Sequence, residues 1–128
     1  MLATSVMAAL ISTMTPLELA IWRVETNQCM GECPKGADGE IGPMQITSAA
    51  WIDVSKKGEK YEKCEELWYS VIIFRRYMER YADPMLTGKI FTNEIGARIW
   101  NGGPNGWKKD STKKYWKKVK KVLDGQKI

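Results

Sequence analysis

The sequence predicts a mainly helical α+β domain, with a small β-hairpin region set among the helices. Three observations carry this. Thr15-Pro16-Leu17-Glu18 is a helix start followed by an apolar stripe; a long apolar-periodic run extends from about Tyr61 to Ala82; and glycines at 36, 39 and 42 interrupt the stretch from Pro34 to Ile46. With 128 residues, 44% of them hydrophobic and 27% charged, the chain has the size and composition of one globular domain.

Met1 to Met14 is mildly apolar and contains no Lys or Arg. A secretory leader begins with positive charge and carries a longer apolar core, so residues 1–14 read better as an N-terminal helix packed on the domain than as a remnant signal. No run approaches the about 18 apolar residues of a membrane span. The main domain is expected over 15–128. Thr15 caps its first helix, Pro16 takes the first helical position and Glu18 completes the capping box. Leu17, Ala20, Ile21 and Val24 then form the buried stripe, and Glu25 lies at its edge near the helix end.

Ile41, Met44 and Ile46 supply the hairpin region, and Thr47 caps a short helix holding Ala49, Ala50, Trp51 and Ile52. In the 61–82 helix, Val71-Ile72-Ile73-Phe74 is apolar nearly all round, as in a central helix, and Asp83-Pro84 stops it. Thr92 opens another helix bearing Ile95 and Ile99. Asn101-Gly-Gly-Pro-Asn-Gly106 reads as an irregular loop placed to approach a ligand closely. A last helix, Ser111 to Leu123, buries Tyr115, Trp116, Val119, Val122 and Leu123.

The absence of histidine excludes His-based nucleophilic triads and argues against zinc; no metal or cofactor is expected. The net charge of +5 implies attraction to polyanions, and lysines at 108, 109, 113, 114, 117, 118, 120, 121 and 127 concentrate it at one end. No base-reading motif accompanies them, so nucleic acid is a poor fit. The alternatives are a plain solvated face and a surface drawn to anionic bacterial polymers.

Two carboxylates in contrasting settings suggest acid/base chemistry. Glu25 ends an apolar helix, where burial and the helix dipole both favour a protonated acid. Asp38 lies among glycines and stays solvated, with Glu40 nearby as its rival. Three cysteines, Cys29, Cys33 and Cys64, are too few for a dense disulfide framework and can be read as buried thiols.

The blocks Val24-Glu-Thr-Asn-Gln-Cys-Met-Gly-Glu-Cys33, Gly42-Pro-Met-Gln-Ile46 with Trp51-Ile52-Asp53, Tyr77-Met-Glu-Arg-Tyr-Ala82 and Ala97-Arg-Ile-Trp-Asn-Gly-Gly-Pro-Asn-Gly-Trp107, then Thr112, Tyr115 and Trp116, resemble the invertebrate-type lysozymes over roughly Leu19 to Val122. The resemblance implies a lysozyme-like fold with its β region beside the active site. The implied activity is that of a secreted, antibacterial or digestive muramidase, cutting β-1,4 links between N-acetylmuramic acid and N-acetylglucosamine in peptidoglycan. It implies Glu25 as proton donor and Asp38 as the second carboxylate, with Gln45, Trp51, Asn101 and Gly102 lining a cleft for peptidoglycan or chito-oligosaccharide. It also places Cys29 and Cys33 where the family has a close pair, leaving Cys64 over. The chain departs from the family in its few cysteines and its shorter Asp38–Gly42 segment. A lytic transglycosylase and a glycan-binding domain without turnover are the alternative readings.

Overall fold

A computed structural model describes residues 4–125. Its α-helices are α1 (Thr4–Thr13), α2 (Pro16–Thr26), α3 (Ser48–Val54), α4 (Leu67–Tyr81), α5 (Pro84–Thr87), α6 (Asn93–Gly102) and α7 (Lys113–Gly125). α1 lays Met7, Leu10 and Ile11 on the core; Met1 to Ala3 lie outside the described residues. α2 begins with the predicted reciprocal cap. The Glu18 N–H donates to Thr15 Oγ1 at 3.1 Å, and the Thr15 N–H donates to Glu18 Oε1 at 2.9 Å. The Glu18 carboxylate is buried and also ties two helices together, since Arg75 of α4 donates to both its oxygens, at 2.8 and 2.9 Å. Pairing removes the cost of leaving that charge uncompensated in the interior.

The expected 61–82 helix is divided. Tyr61–Glu65 is a 3₁₀ turn, Glu66 is extended, and α4 starts at Leu67. The break frees the Cys64 carbonyl, which accepts a hydrogen bond from Ser70 Oγ. Gly42 packs against this same carbonyl so closely that a Cβ there would stand 1.9 Å from the oxygen. The division of the helix therefore makes room for the neighbouring turn.

That turn replaces the expected hairpin. The described residues contain no strands here, only an antiparallel bridge between Ile41 and Ile46. Two backbone hydrogen bonds of 3.1 and 2.9 Å close it around Gly42-Pro43-Met44-Gln45. Ile41, Met44 and Ile46 are buried, so these apolar residues serve the core from a turn.

The core is built from Ile21, Met44, Ile46, Val71, Ile73, Ile99 and Val119. α4 runs through it, with α3 and α6 against it, while α7 packs across α2 and α6. The proposed stop at Asp83-Pro84 holds, and Asp83 also caps α5. The loop expected over 101–106 is shorter than predicted. Asn101 and Gly102 form the last turn of α6, whose final hydrogen bond runs from Gly103 N–H to Ile99 O at 2.8 Å. Gly103, at φ +87°, turns the chain out of the helix, and Gly106–Lys108 forms a 3₁₀ turn.

Candidate active site

Glu25 stands in the last turn of α2, half-buried under α7. Tyr115 of α7 donates from its hydroxyl to Glu25 Oε2 at 2.7 Å. The Glu25 pKa is raised to about 7, chiefly because burial disfavours the carboxylate. The Tyr115 hydrogen bond opposes the rise, the charge of Glu40 adds to it, and Lys118 of α7 lowers it. An acid protonated up to neutrality suits proton donation.

The other carboxylates sit on the glycine-rich segment. Gly36 and Glu40 close it through a 2.9 Å backbone hydrogen bond, and Gly39 turns back onto the Gly36 carbonyl. Asp38 is exposed, and its N–H donates to Glu40 Oε1 at 2.7 Å. Glu40 is half-buried and is the carboxylate whose charge Glu25 feels.

The end of α2 is tied to the Gly42–Gln45 turn. Thr26 Oγ1 donates to Pro43 O at 2.8 Å and also accepts from the Cys29 N–H. Trp22 Nε1 donates to Cys29 O at 2.9 Å. Cys29 and Cys33 form a disulfide with Cα atoms 5.8 Å apart, while Cys64 is a buried free thiol. The pairing implied by resemblance is therefore present, and the reading of three free thiols is corrected. Burial pushes the Cys64 thiol up to about 12, which keeps it unreactive at neutral pH.

Gln45 adopts the left-handed conformation, φ +54°, unusual for a residue with a side chain. Its Nε2 donates to Pro34 O and Gly42 O, at 2.9 and 3.0 Å, which holds it there. Gln45 and Asn101 both line a cleft of about 310 Å³, together with Thr47, Asp53, Tyr77 and Trp100. Tyr77 and Trp100 give it an aromatic wall, fixed by edge-on ring contacts and a 3.2 Å hydrogen bond from Trp100 Nε1 to Met44 O. At its polar end, Tyr81 donates to Asp53 Oδ2 at 2.9 Å. A groove of about 350 Å³ beside Met7, Met30 and Trp68 is larger and chiefly apolar; neither it nor the cleft has Glu25 or Glu40 among its lining residues.

Trp51 and Gly102, the other predicted cleft residues, face elsewhere. Trp51 donates its indole N–H to Tyr69 Oη at 2.9 Å and packs by Tyr61 against the core. Gly102 lies against Thr112, whose Cγ2 would be 2.4 Å from an added Cβ. Sequence reasoning missed Asp53, Tyr77 and Trp100 as cleft residues. All three fell inside the blocks that carried the resemblance, and that was the available signal.

The chain is 38% identical over 82 residues to a lysozyme of Meretrix lusoria, covering 63% of this chain and 66% of that protein. It is 31% identical over 110 residues to an invertebrate-type lysozyme of Ruditapes philippinarum, covering 81% and 77%. The aligned segments thus span about two thirds of the Meretrix lusoria protein and 61% of a lysozyme from Ostrea edulis. No family model matches the chain. Among solved structures it is similar to Tapes japonica lysozyme, with a TM-score of 0.74 and 28% identity over 85% of this chain and 89% of that one. It is equally similar, at 31% identity, to a structure of Aeromonas hydrophila PliI in complex with Meretrix lusoria lysozyme, with a TM-score of 0.74 and the same coverage.

Proposed function

The chain belongs to the invertebrate-type lysozyme family, and from that premise we propose that it is a muramidase acting on the β-1,4 links of bacterial peptidoglycan. The 15–128 unit is the catalytic domain, with residues 1–14 as its N-terminal appendage. The observation that carries the reading is Glu25, a partly buried carboxyl with a pKa of about 7 and a tyrosine hydroxyl on one oxygen. Glu25 protonates the glycosidic oxygen, the C–O bond breaks with its electron pair on the leaving sugar, and water then adds its hydroxyl at the anomeric carbon while its other proton returns to Glu25. A second carboxylate supports the oxocarbenium-like centre. Glu40 fits this role better than Asp38, because its charge reaches Glu25 while Asp38 points to solvent and braces Glu40 through its backbone. Gln45, Asn101, Trp100 and Asp53 line the sugar cleft.

An extracellular setting suits the disulfide between Cys29 and Cys33, since such bonds persist where conditions are oxidising. The exposed lysines of α7 supply attraction to anionic cell-wall polymers.

The test is peptidoglycan lysis with product analysis. Glu25→Gln should lose about 10²–10⁴-fold in rate. Glu40→Gln should cost far more than Asp38→Asn; the reverse order would return the second role to Asp38. Activity surviving in Glu25→Gln would refute the mechanism. Anhydro-sugar ends in the product spectrum would identify a lytic transglycosylase instead of a hydrolase.

A further inference from the structure

We infer that Tyr115 is a positioning residue for the acid, its hydroxyl holding Glu25 Oε2 at 2.7 Å and leaving Oε1 as the oxygen that delivers the proton. The inference rests on Glu25 being the acid. Among the described residues, no protein group hydrogen-bonds Oε1, so that oxygen is the one open to a substrate. Tyr115 has one proton to donate, and donating it to Oε2 requires a lone pair there. In the protonated acid the carbonyl oxygen is the stronger acceptor, so the Tyr115 bond favours Oε2 as the carbonyl and puts the carboxyl hydrogen on Oε1. When it passes to the glycosidic oxygen, the negative charge left behind is shared with the oxygen that Tyr115 already holds. The hydroxyl thus orients the acid before transfer and steadies its conjugate base afterwards.

The placement comes from α7 docking on α2, with Tyr115 on the inner side and buried Val119 one turn further along. The groups acting on Glu25 are Tyr115 and Lys118 from α7 and Glu40 from the glycine-rich segment. Tyr115 and Lys118 favour the carboxylate, whereas Glu40 opposes it. Removing the hydroxyl should therefore raise the pKa of the acid and move the alkaline limb of activity upward.

The experiment compares wild type with Tyr115→Phe by two readouts. Carboxyl-carbon NMR titration of Glu25 follows the acid without turnover, and pH–rate profiles on soluble peptidoglycan follow catalysis. The Glu25 titration and the alkaline limb should both move up by about one pH unit. At the optimum, kcat should fall about tenfold with KM nearly unchanged. Site-specific 3,5-difluorotyrosine at position 115 keeps the packing and strengthens the donor, so it should shift both curves downward; this arm decides the matter if Tyr115→Phe folds poorly. Curves superimposed on wild type would overturn the inference. If Glu25→Gln retains lysis, the proposed mechanism fails instead, while the NMR titration still tests the contact itself.

Discussion

Glu25 has a pKa of about 7 in the folded chain against 4.5 for the free side chain, so burial works against its ionisation. Between those values the folded state binds a proton that the unfolded state has released. Stability therefore falls as pH rises through 4.5 to about 7, and the full cost is present above that window. The cost is bounded by about 3 kcal/mol. Glu25→Gln has no proton to lose and keeps an amide oxygen for Tyr115. It should melt several degrees above wild type at pH 8 and alongside it near pH 4. Thermal melts at the two pH values check this; coincident melts at pH 8 would show that the carboxyl is not desolvated.

The Gly42–Gln45 turn depends on a close backbone approach. Gly42 combines φ +80° with a Cβ direction that ends 1.9 Å from the Cys64 carbonyl oxygen. Gly39 has a similar φ, +83°, and open space beside it. Gly42→Ala must push the turn away from the 3₁₀ segment and should cost about 3 kcal/mol or more. Gly39→Ala meets only backbone strain, roughly 1–2 kcal/mol. Denaturant unfolding of the two variants measures the difference, and equal losses would mean the Gly42 contact yields freely. Because Gln45 follows in the same turn, Gly42→Ala should also weaken chito-oligosaccharide binding.

Across the whole molecule, positive charge gathers on the outer side of α7. On α7, Tyr115 and Val119 face inward while Lys113, Lys114, Lys117, Lys118, Lys120 and Lys121 are exposed. Asp110 and Asp124 pair with Lys113 and Lys120, at 3.0 and 2.8 Å. Lys127 belongs to the same basic run and lies outside the described residues. Lys114, Lys117 and Lys121 are the suitable residues to neutralise, because Lys118 also acts on Glu25. Changing those three to Gln should slow lysis of whole anionic cells most at low salt, since the screening length is only about 8 Å at physiological ionic strength. Hydrolysis of a short neutral oligosaccharide should stay within roughly twofold of wild type, because these charges act by long-range attraction. Equal losses on both substrates would assign the lysines a structural role.

The caps at Thr15, Thr47 and Thr92 were legible in the chain, and each holds in the structure through a bond to the backbone three residues on. Glu25 at the end of an apolar helix was legible for the same reason: helix periodicity places it, and a helix is decided by near neighbours. The Gly42–Gln45 block could be recognised, but its conversion from hairpin to a single bridge depended on Cys64 arriving beside Gly42. Trp51 lies on the expected helix but in other surroundings than the cleft, because its inward direction follows from Tyr69 lying across from it. The contrast between Asp38 and Glu40 was also invisible, since both are acids in one glycine-rich turn and only folding gives one of them a line to Glu25. Tyr115 has the sequence pattern of a core aromatic, yet its hydroxyl ends on a carboxyl 90 positions away. The sequence determined the caps at Thr15, Thr47 and Thr92 and the helices they open, because those rest on contacts a few residues long. The tertiary structure decided which hydroxyl bonds Glu25 and which carboxylate's charge reaches it, because protonation depends on the groups that folding brings close.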